Sequence, residues 1–157
     1  MRSFTGVAST AIISIAILSG ISSSRATAAE YEIKMVNKGP DHAMQFDPQL
    51  LRIAPGDTVH FVAEDKGHDV ESIQDMIPDG AQPFAGTINS DLTVTLTQPG
   101  IYGYHCKPHA ALGMVGMIVV GAPVNEDAAK SVSQPGLAHR IFVQLFQTLD
   151  APRTARN

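Results

Sequence analysis

Between Glu30 and Gly121, apolar and polar residues follow one another in short runs with the period of half-buried strands. Tyr31 to Val36 alternates, and Asn37-Lys38-Gly39-Pro40 is a turn signal. Met44-Gln45-Phe46 alternates briefly before Asp47-Pro48 interrupts it. Leu50-Leu51-Arg52-Ile53 follows and ends at Pro55-Gly56-Asp57. Thr58 to Ala63 puts Val59, Phe61 and Ala63 on one face, and Leu92 to Leu96 does the same with Leu92, Val94 and Leu96. Gln98-Pro99-Gly100 turns the chain into Ile101 to Cys106, and Val115 to Val120 is a last β-rich run. Strands at this spacing, with no helical pattern between them, predict an all-β sandwich or barrel. Ile73 to Thr87 contains Pro78-Asp79-Gly80 and Pro83 and reads as loop, with room for one short turn or edge element.

After Gly121 the texture changes. Glu126 to Lys130 predicts a short helix with acids at its start, broken by Ser133-Gln134-Pro135-Gly136. Leu137 to Leu149 predicts a second. Leu137, Ile141, Leu145 and Leu149 recur every fourth residue, and Phe142 and Phe146 widen the stripe. A helix this short needs tertiary packing. The stripe is therefore expected to dock on the sandwich and cover apolar surface rather than to bind a partner.

Residues 1–28 read as an export signal. Arg2 supplies the positive start, Ala11 to Leu18 opens an apolar run, and Ala26-Thr27-Ala28 has the small-x-small pattern of a cleavage site. A retained anchor is the alternative, but the apolar run is short and Ser22-Ser23-Ser24-Arg25 follows at once. No stretch reaches the roughly 18 unbroken apolar residues of a spanning helix. The expected organisation is a leader over 1–28, a sandwich over 29–121 and a helical extension over 122–157, in an exported protein.

Removing the leader from the 157-residue chain leaves nine basic residues against 15 acidic ones, a net charge of −6. An acidic chain without a basic run is a poor nucleic-acid binder. The single Cys excludes an intramolecular disulfide framework. In an oxidising compartment a lone thiol is buried, paired with another chain or bound to a metal.

That thiol opens the most informative stretch. Cys106-Lys107-Pro108-His109-Ala110-Ala111-Leu112-Gly113-Met114 sets a thiolate, an imidazole and a thioether on one loop, spaced C-x2-H-x4-M. Gly67-His68-Asp69-Val70 places a second imidazole in a loop after a strand. Two His, one Cys and a weak axial Met form the ligand set of blue-copper electron-transfer sites. Zinc accounts for the set less well, because Met is a poor zinc ligand. Covalent haem would need C-x-x-C-H. A Cys–His nucleophile pair would need an oxyanion donor and an orienting third group, and neither can be identified. Copper binding for delivery, with the same ligands and ready exchange, is the competing reading. The other histidines read as surface groups: His105 alternates away from Cys106, His60 lies on a polar face, His42 sits in a turn and His139 lies off the helical stripe.

With these segments on the page, the chain resembles the pseudoazurins, small cupredoxins of bacterial respiratory chains. The resemblance runs from about Tyr31 to Gly121, and the helical tail fits it. It is carried by Met35-Val36-Asn37-Lys38-Gly39, Pro55 to Val59, Asp65-Lys66-Gly67-His68, Val70 to Ile73, Met76 to Ala81, Pro99 to Tyr102 and the Cys106–Met114 loop. Plastocyanins share the loop spacing, so the segment from Gly67 to Ala81 and the tail decide between the two. The resemblance implies an eight-stranded Greek-key sandwich with two C-terminal helices. It implies one copper ion, cycling between Cu2+ and Cu+, on His68, Cys106, His109 and Met114. It also implies a non-enzymatic one-electron carrier whose port is the exposed edge of His109. Loops around that edge, including Ala110 to Gly113 and the regions near Pro48 and Pro83, would dock a redox partner such as a copper nitrite reductase or a cytochrome.

Met44 matches the methionine that sits near the exposed histidine in the family. Pro108 lacks an N–H, so it cannot donate toward the Cys106 sulfur, which favours a lower reduction potential. Two departures stand out. Asp69 occupies the position after His68 where the family usually has Asn; an ionised Asp accepts but does not donate. It is protonated, or it accepts only, or the link between the His and Cys loops is rearranged. Lys38 and Lys66 match the lysine ring of the family and Lys107 adds a charge nearby. Ala85 and His105, however, stand where lysines are common. With a net charge of −6, long-range steering toward an acidic partner is expected to be weaker.

Overall fold

The computed structural model describes residues 27–151. Residues 1–26 of the expected leader and the last six residues of the expected extension lie outside the described residues. Eight strands form two four-stranded sheets. The strands are β1 (Glu30–Lys38), β2 (Ala43–Asp47), β3 (Leu50–Ile53), β4 (Thr58–Val62), β5 (Glu71–Ser72), β6 (Leu92–Thr95), β7 (Gly100–His105) and β8 (Val115–Val120). One sheet runs β2-β1-β4-β6 and the other β3-β8-β7-β5. The β1–β4 and β3–β8 pairs are parallel, and the rest are antiparallel. The sequence pattern predicts a sandwich or barrel, and the structure is the eight-stranded sandwich that the resemblance implies. Two helices, α1 (Glu126–Ser131) and α2 (Leu137–Asp150), follow it.

The alternating runs bury the faces expected of them. Ile33, Met35, Val59 and Phe61 are fully buried between the sheets, with Leu92 and Val94 packed against them. Tyr104 from β7 stands edge-on to Phe46 and Phe61 with ring centroids 4.9 and 5.1 Å away. The interruption at Asp47-Pro48 is the corner at which the chain leaves the first sheet and enters the second as β3. The loop-like stretch from Ile73 to Thr87 contains a 3-10 turn over Gln74–Met76, and the two-residue edge strand β5 lies just before it, outside the predicted elements.

β8 is buried along its whole length, which explains its unbroken apolar run. One face of the β7–β8 pair packs on the first sheet. The other carries Ile101, Val115, Met117 and Val119 and is covered by the helices. α2 does this with Ala138, Phe142, Leu145 and Phe146. The docking expected of the helix is observed, but its buried stripe is turned from the predicted one. Leu137 is 42% exposed, and Ile141 and Leu149 lie at the margin of the contact. A spacing of four residues drifts around a helix of 3.6 residues per turn, so a run of three such steps cannot stay centred on one contact line. Arg52 of β3 anchors the far end by donating to the Leu149 carbonyl at 3.2 Å. Phe142→Ala is expected to lower unfolding stability in urea by about 3–5 kcal/mol, and Leu137→Ala by less than about 1 kcal/mol. Equal losses would return the stripe to its sequence-predicted position.

Candidate metal centre

The strands deliver four donor-bearing residues to one end of the sandwich. Cys106 ends β7, and the chain then turns through a 3-10 segment over Lys107–Leu112 with Pro108 in its first turn. The segment closes at Gly113, whose φ of 92° is the left-handed region glycine occupies without strain. Met114 then leads into β8. The loop is tied to itself: His109 N–H donates to the Cys106 carbonyl (3.0 Å), Met114 N–H to the His109 carbonyl (3.2 Å), and Cys106 N–H to the Met114 carbonyl (3.0 Å). The spacing C-x2-H-x4-M is thus the length of one tight turn between paired strands.

Among the described residues, His68, Cys106 and His109 form the one group of His, Cys and acidic side chains that converges closely enough to hold a metal; their donor atoms lie within 4.8 Å of one another. The two Nδ1 atoms are 3.2 Å apart, and the Cys106 Sγ lies 3.8 Å from His68 Nδ1 and 3.4 Å from His109 Nδ1. Cys106, His68 and Met114 are fully buried. His109 is half-buried beside the exposed Ala111 and Leu112. A soft sulfur with two imidazoles, enclosed except at one ring, suits an ion that alternates between Cu(I) and Cu(II).

His68 is prepared for this by residues the sequence reading did not single out. Its Nε2 lies 3.0 Å from Asn37 Oδ1, which can only accept, so the proton stands on Nε2 and Nδ1 keeps its lone pair. Asn37 N–H in turn donates to Asp65 at 2.7 Å. Asn89 fastens the loop by accepting from Gly67 N–H (2.6 Å) and donating its own N–H to the His68 carbonyl (2.8 Å). Burial, helped by the neighbouring His109 ring, holds His68 below the ordinary imidazole value, so the ring is a neutral donor. Burial pushes the Cys106 thiol up to about 11. A bound cation would have to displace that proton to gain the thiolate as a ligand.

Asp69 links the two ligand loops. Its Oδ1 accepts from Lys107 N–H at 2.7 Å, so the link between the loops is made with the carboxyl as acceptor. Met44 is half-buried against the core in left-handed backbone, φ 54°. Pro108 is exposed at the head of the turn.

His105 corrects the expectation of a free surface group. Its ring is 24% exposed and lies 2.9 Å from Glu71, whose second oxygen meets Lys107 Nζ at 2.8 Å. β5 pairs with β7 in the register Glu71↔His105, which brings the two together. His60 and His42 bond to Thr93 and Gln49, and His139 is exposed; none of them joins the donor group.

Residues 33–121 match the family model of copper binding proteins, plastocyanin/azurin family. The chain is 48% identical over 122 residues to the pseudoazurin of Paracoccus pantotrophus, spanning 76% of this chain and 84% of that one. It is 40% identical over 147 residues to the pseudoazurin of Methylorubrum extorquens, spanning 93% and 97%. The crystal structure of pseudoazurin from Methylobacterium extorquens AM1 superposes with a TM-score of 0.75 at 42% identity, over 77% of this chain and 99% of that one. The chain therefore belongs to the plastocyanin/azurin family of copper binding proteins. Within it the likeness is to the pseudoazurins, and its function is that of a blue-copper electron carrier.

Two outcomes follow from this geometry. Asp69→Asn keeps an acceptor for Lys107 N–H and removes a negative charge that favours Cu(II). A redox titration is expected to show a potential higher by on the order of tens of millivolts. Coinciding titrations would mean that the carboxylate charge is not felt at the site. For Glu71, burial raises the carboxyl, but the hydrogen bonds from Lys107 and His105 outweigh it and leave the group below the ordinary carboxylate range. A carboxyl depressed on folding stabilises above its unfolded value, and that stability is lost as pH falls through the folded value. The Tm advantage over Glu71→Gln should therefore be full at pH 6 and shrink below about pH 4.3. A gap constant across that window would show that the triad does not couple to folding.

Proposed function

We propose that the protein is a soluble periplasmic one-electron carrier with its copper on His68, Cys106, His109 and Met114. The observation that carries this reading is the convergence of two imidazole Nδ1 atoms on a buried cysteine sulfur, in a loop tied at both ends. When bound, copper supplies a Cu(II)/Cu(I) couple. The chain's own residues do the rest. Asn37 fixes the lone pair of His68 on the site side. Asp69 holds the His loop to the Cys loop. The sandwich encloses Cys106 and Met114 away from water, and Met44 flanks the port. His109, half-buried beside exposed Ala111 and Leu112, offers the ring edge through which an electron passes. No bond is made on a substrate.

Residues 1–28 act as the cleaved export signal, residues 29–121 as the copper-bearing sandwich and residues 122–157 as its helical extension. The carrier works as a monomer. Its partner is a redox protein, a copper nitrite reductase or a cytochrome, docking around His109. Among the described residues no helix is long and apolar enough to cross a membrane.

Adding Cu(II) to the purified protein is expected to produce an intense thiolate-to-copper absorption. It should bleach on one-electron reduction and return on reoxidation, and Cys106→Ser should abolish it. Absence of the band in the parent, or immediate loss of copper to a mild chelator, would break the assignment and favour metal delivery.

A further inference from the structure

α2 begins where the ligand loop lies. Gly136, immediately before the helix, has φ 52° and ψ −127°, a conformation that only glycine adopts without strain. Its bare Cα faces the loop backbone: a Cβ there would stand 2.5 Å from the Ala111 carbonyl oxygen and 3.4 Å from the Ala111 Cα. The loop answers with a glycine of its own. A Cβ on Gly113 would stand 3.3 Å from both Leu137 Cβ and Ile141 Cγ1. Two missing side chains, one on each element, let the first turns of α2 press on positions 111 and 113. Those positions lie inside the span from His109 to Met114. From α2, the outer face of β7 and β8 is covered mainly by Ala138, Phe142, Leu145 and Phe146, with Ile141 and Leu149 at the margin. The contact at 111 and 113 is additional to it.

We propose that α2 is a positioning element for the copper site, and that Gly136 is the residue that seats its first turn on the loop between His109 and Met114. The seat holds the separation between these two ligands against the pull of the turn, so the helix sets ligand geometry as well as stability. This inference rests on the ligand assignment made above.

The test uses Gly136→Ala in the whole protein, with and without copper. In the copper-free protein the Gly113 and Met114 amides, bonded to the Ala110 and His109 carbonyls, should exchange roughly tenfold faster. In the loaded protein the ratio of the thiolate-to-copper bands should change, and copper should pass to a chelator roughly tenfold faster. Ile141→Ala, which removes a contact without backbone strain, should move the same readouts in the same direction by less. It keeps the test decisive if Gly136→Ala does not fold. Arg52→Ala loosens the far end of α2; it should lower Tm and leave exchange and spectrum at the parent values. If Gly136→Ala and Ile141→Ala also lower Tm alone, α2 is only a cover and the proposal falls. If the parent gives no thiolate band, the ligand assignment falls, and amide exchange in the copper-free protein still decides whether α2 seats the loop.

Discussion

The hydrogen bond from Cys106 N–H to the Met114 carbonyl is where the strand ladder and the metal chemistry meet. It continues the antiparallel pairing of β7 and β8 past their ends, so seven residues must be accommodated between two paired positions. A 3-10 turn solves this, and Pro108 and Gly113 supply the start and the reversal. Whatever places β7 against β8 therefore places Cys106, His109 and Met114. Burial of both faces of that pair is what makes the placement firm, and it explains why a small protein carries two helices outside a complete sandwich.

The fourth donor comes from the other sheet by different means. The His68 loop leaves β4, and polar side chains fasten it where no ladder can. Asn37 orients the ring, Asn89 holds the backbone and Asp69 reaches across to Lys107. The Asn37 and Asp69 bonds sit partly out of water, where an unmade polar partner is costly. The site is thus rigid on one side through sheet pairing and on the other through side-chain hydrogen bonds. That division assigns separate substitutions to separate ligands.

Much of this was legible from one sequence, and the misses have physical causes. Alternation located most strands because their faces differ, one toward the core and one toward water or the helices. It missed β5 because two residues are too few to show a period. Ligand spacing was legible because the loop is local. Asn37 and Asn89 were not picked out, because each acts on a residue more than 20 positions away and carries no signal of its own; only the membership of Asn37 in a family-like segment marked it. The predicted stripe on α2 is off-centre because large residues dominate it, whereas the small Ala138 is the fully buried one. His105 was read from strand alternation alone, which gives a direction but cannot see a facing glutamate on another strand.

That glutamate changes what the surface beside the copper loop presents. Lys107 is matched by Glu71 at 2.8 Å, so this edge of the port offers a dipole rather than a lone positive charge. The field of a dipole decays faster with distance than that of a monopole, and at physiological salt even a monopole is screened within about 8 Å. Lys107 therefore exerts little pull on a distant molecule. Its influence is confined to the final angstroms of approach, where it acts on angular alignment and not on capture radius.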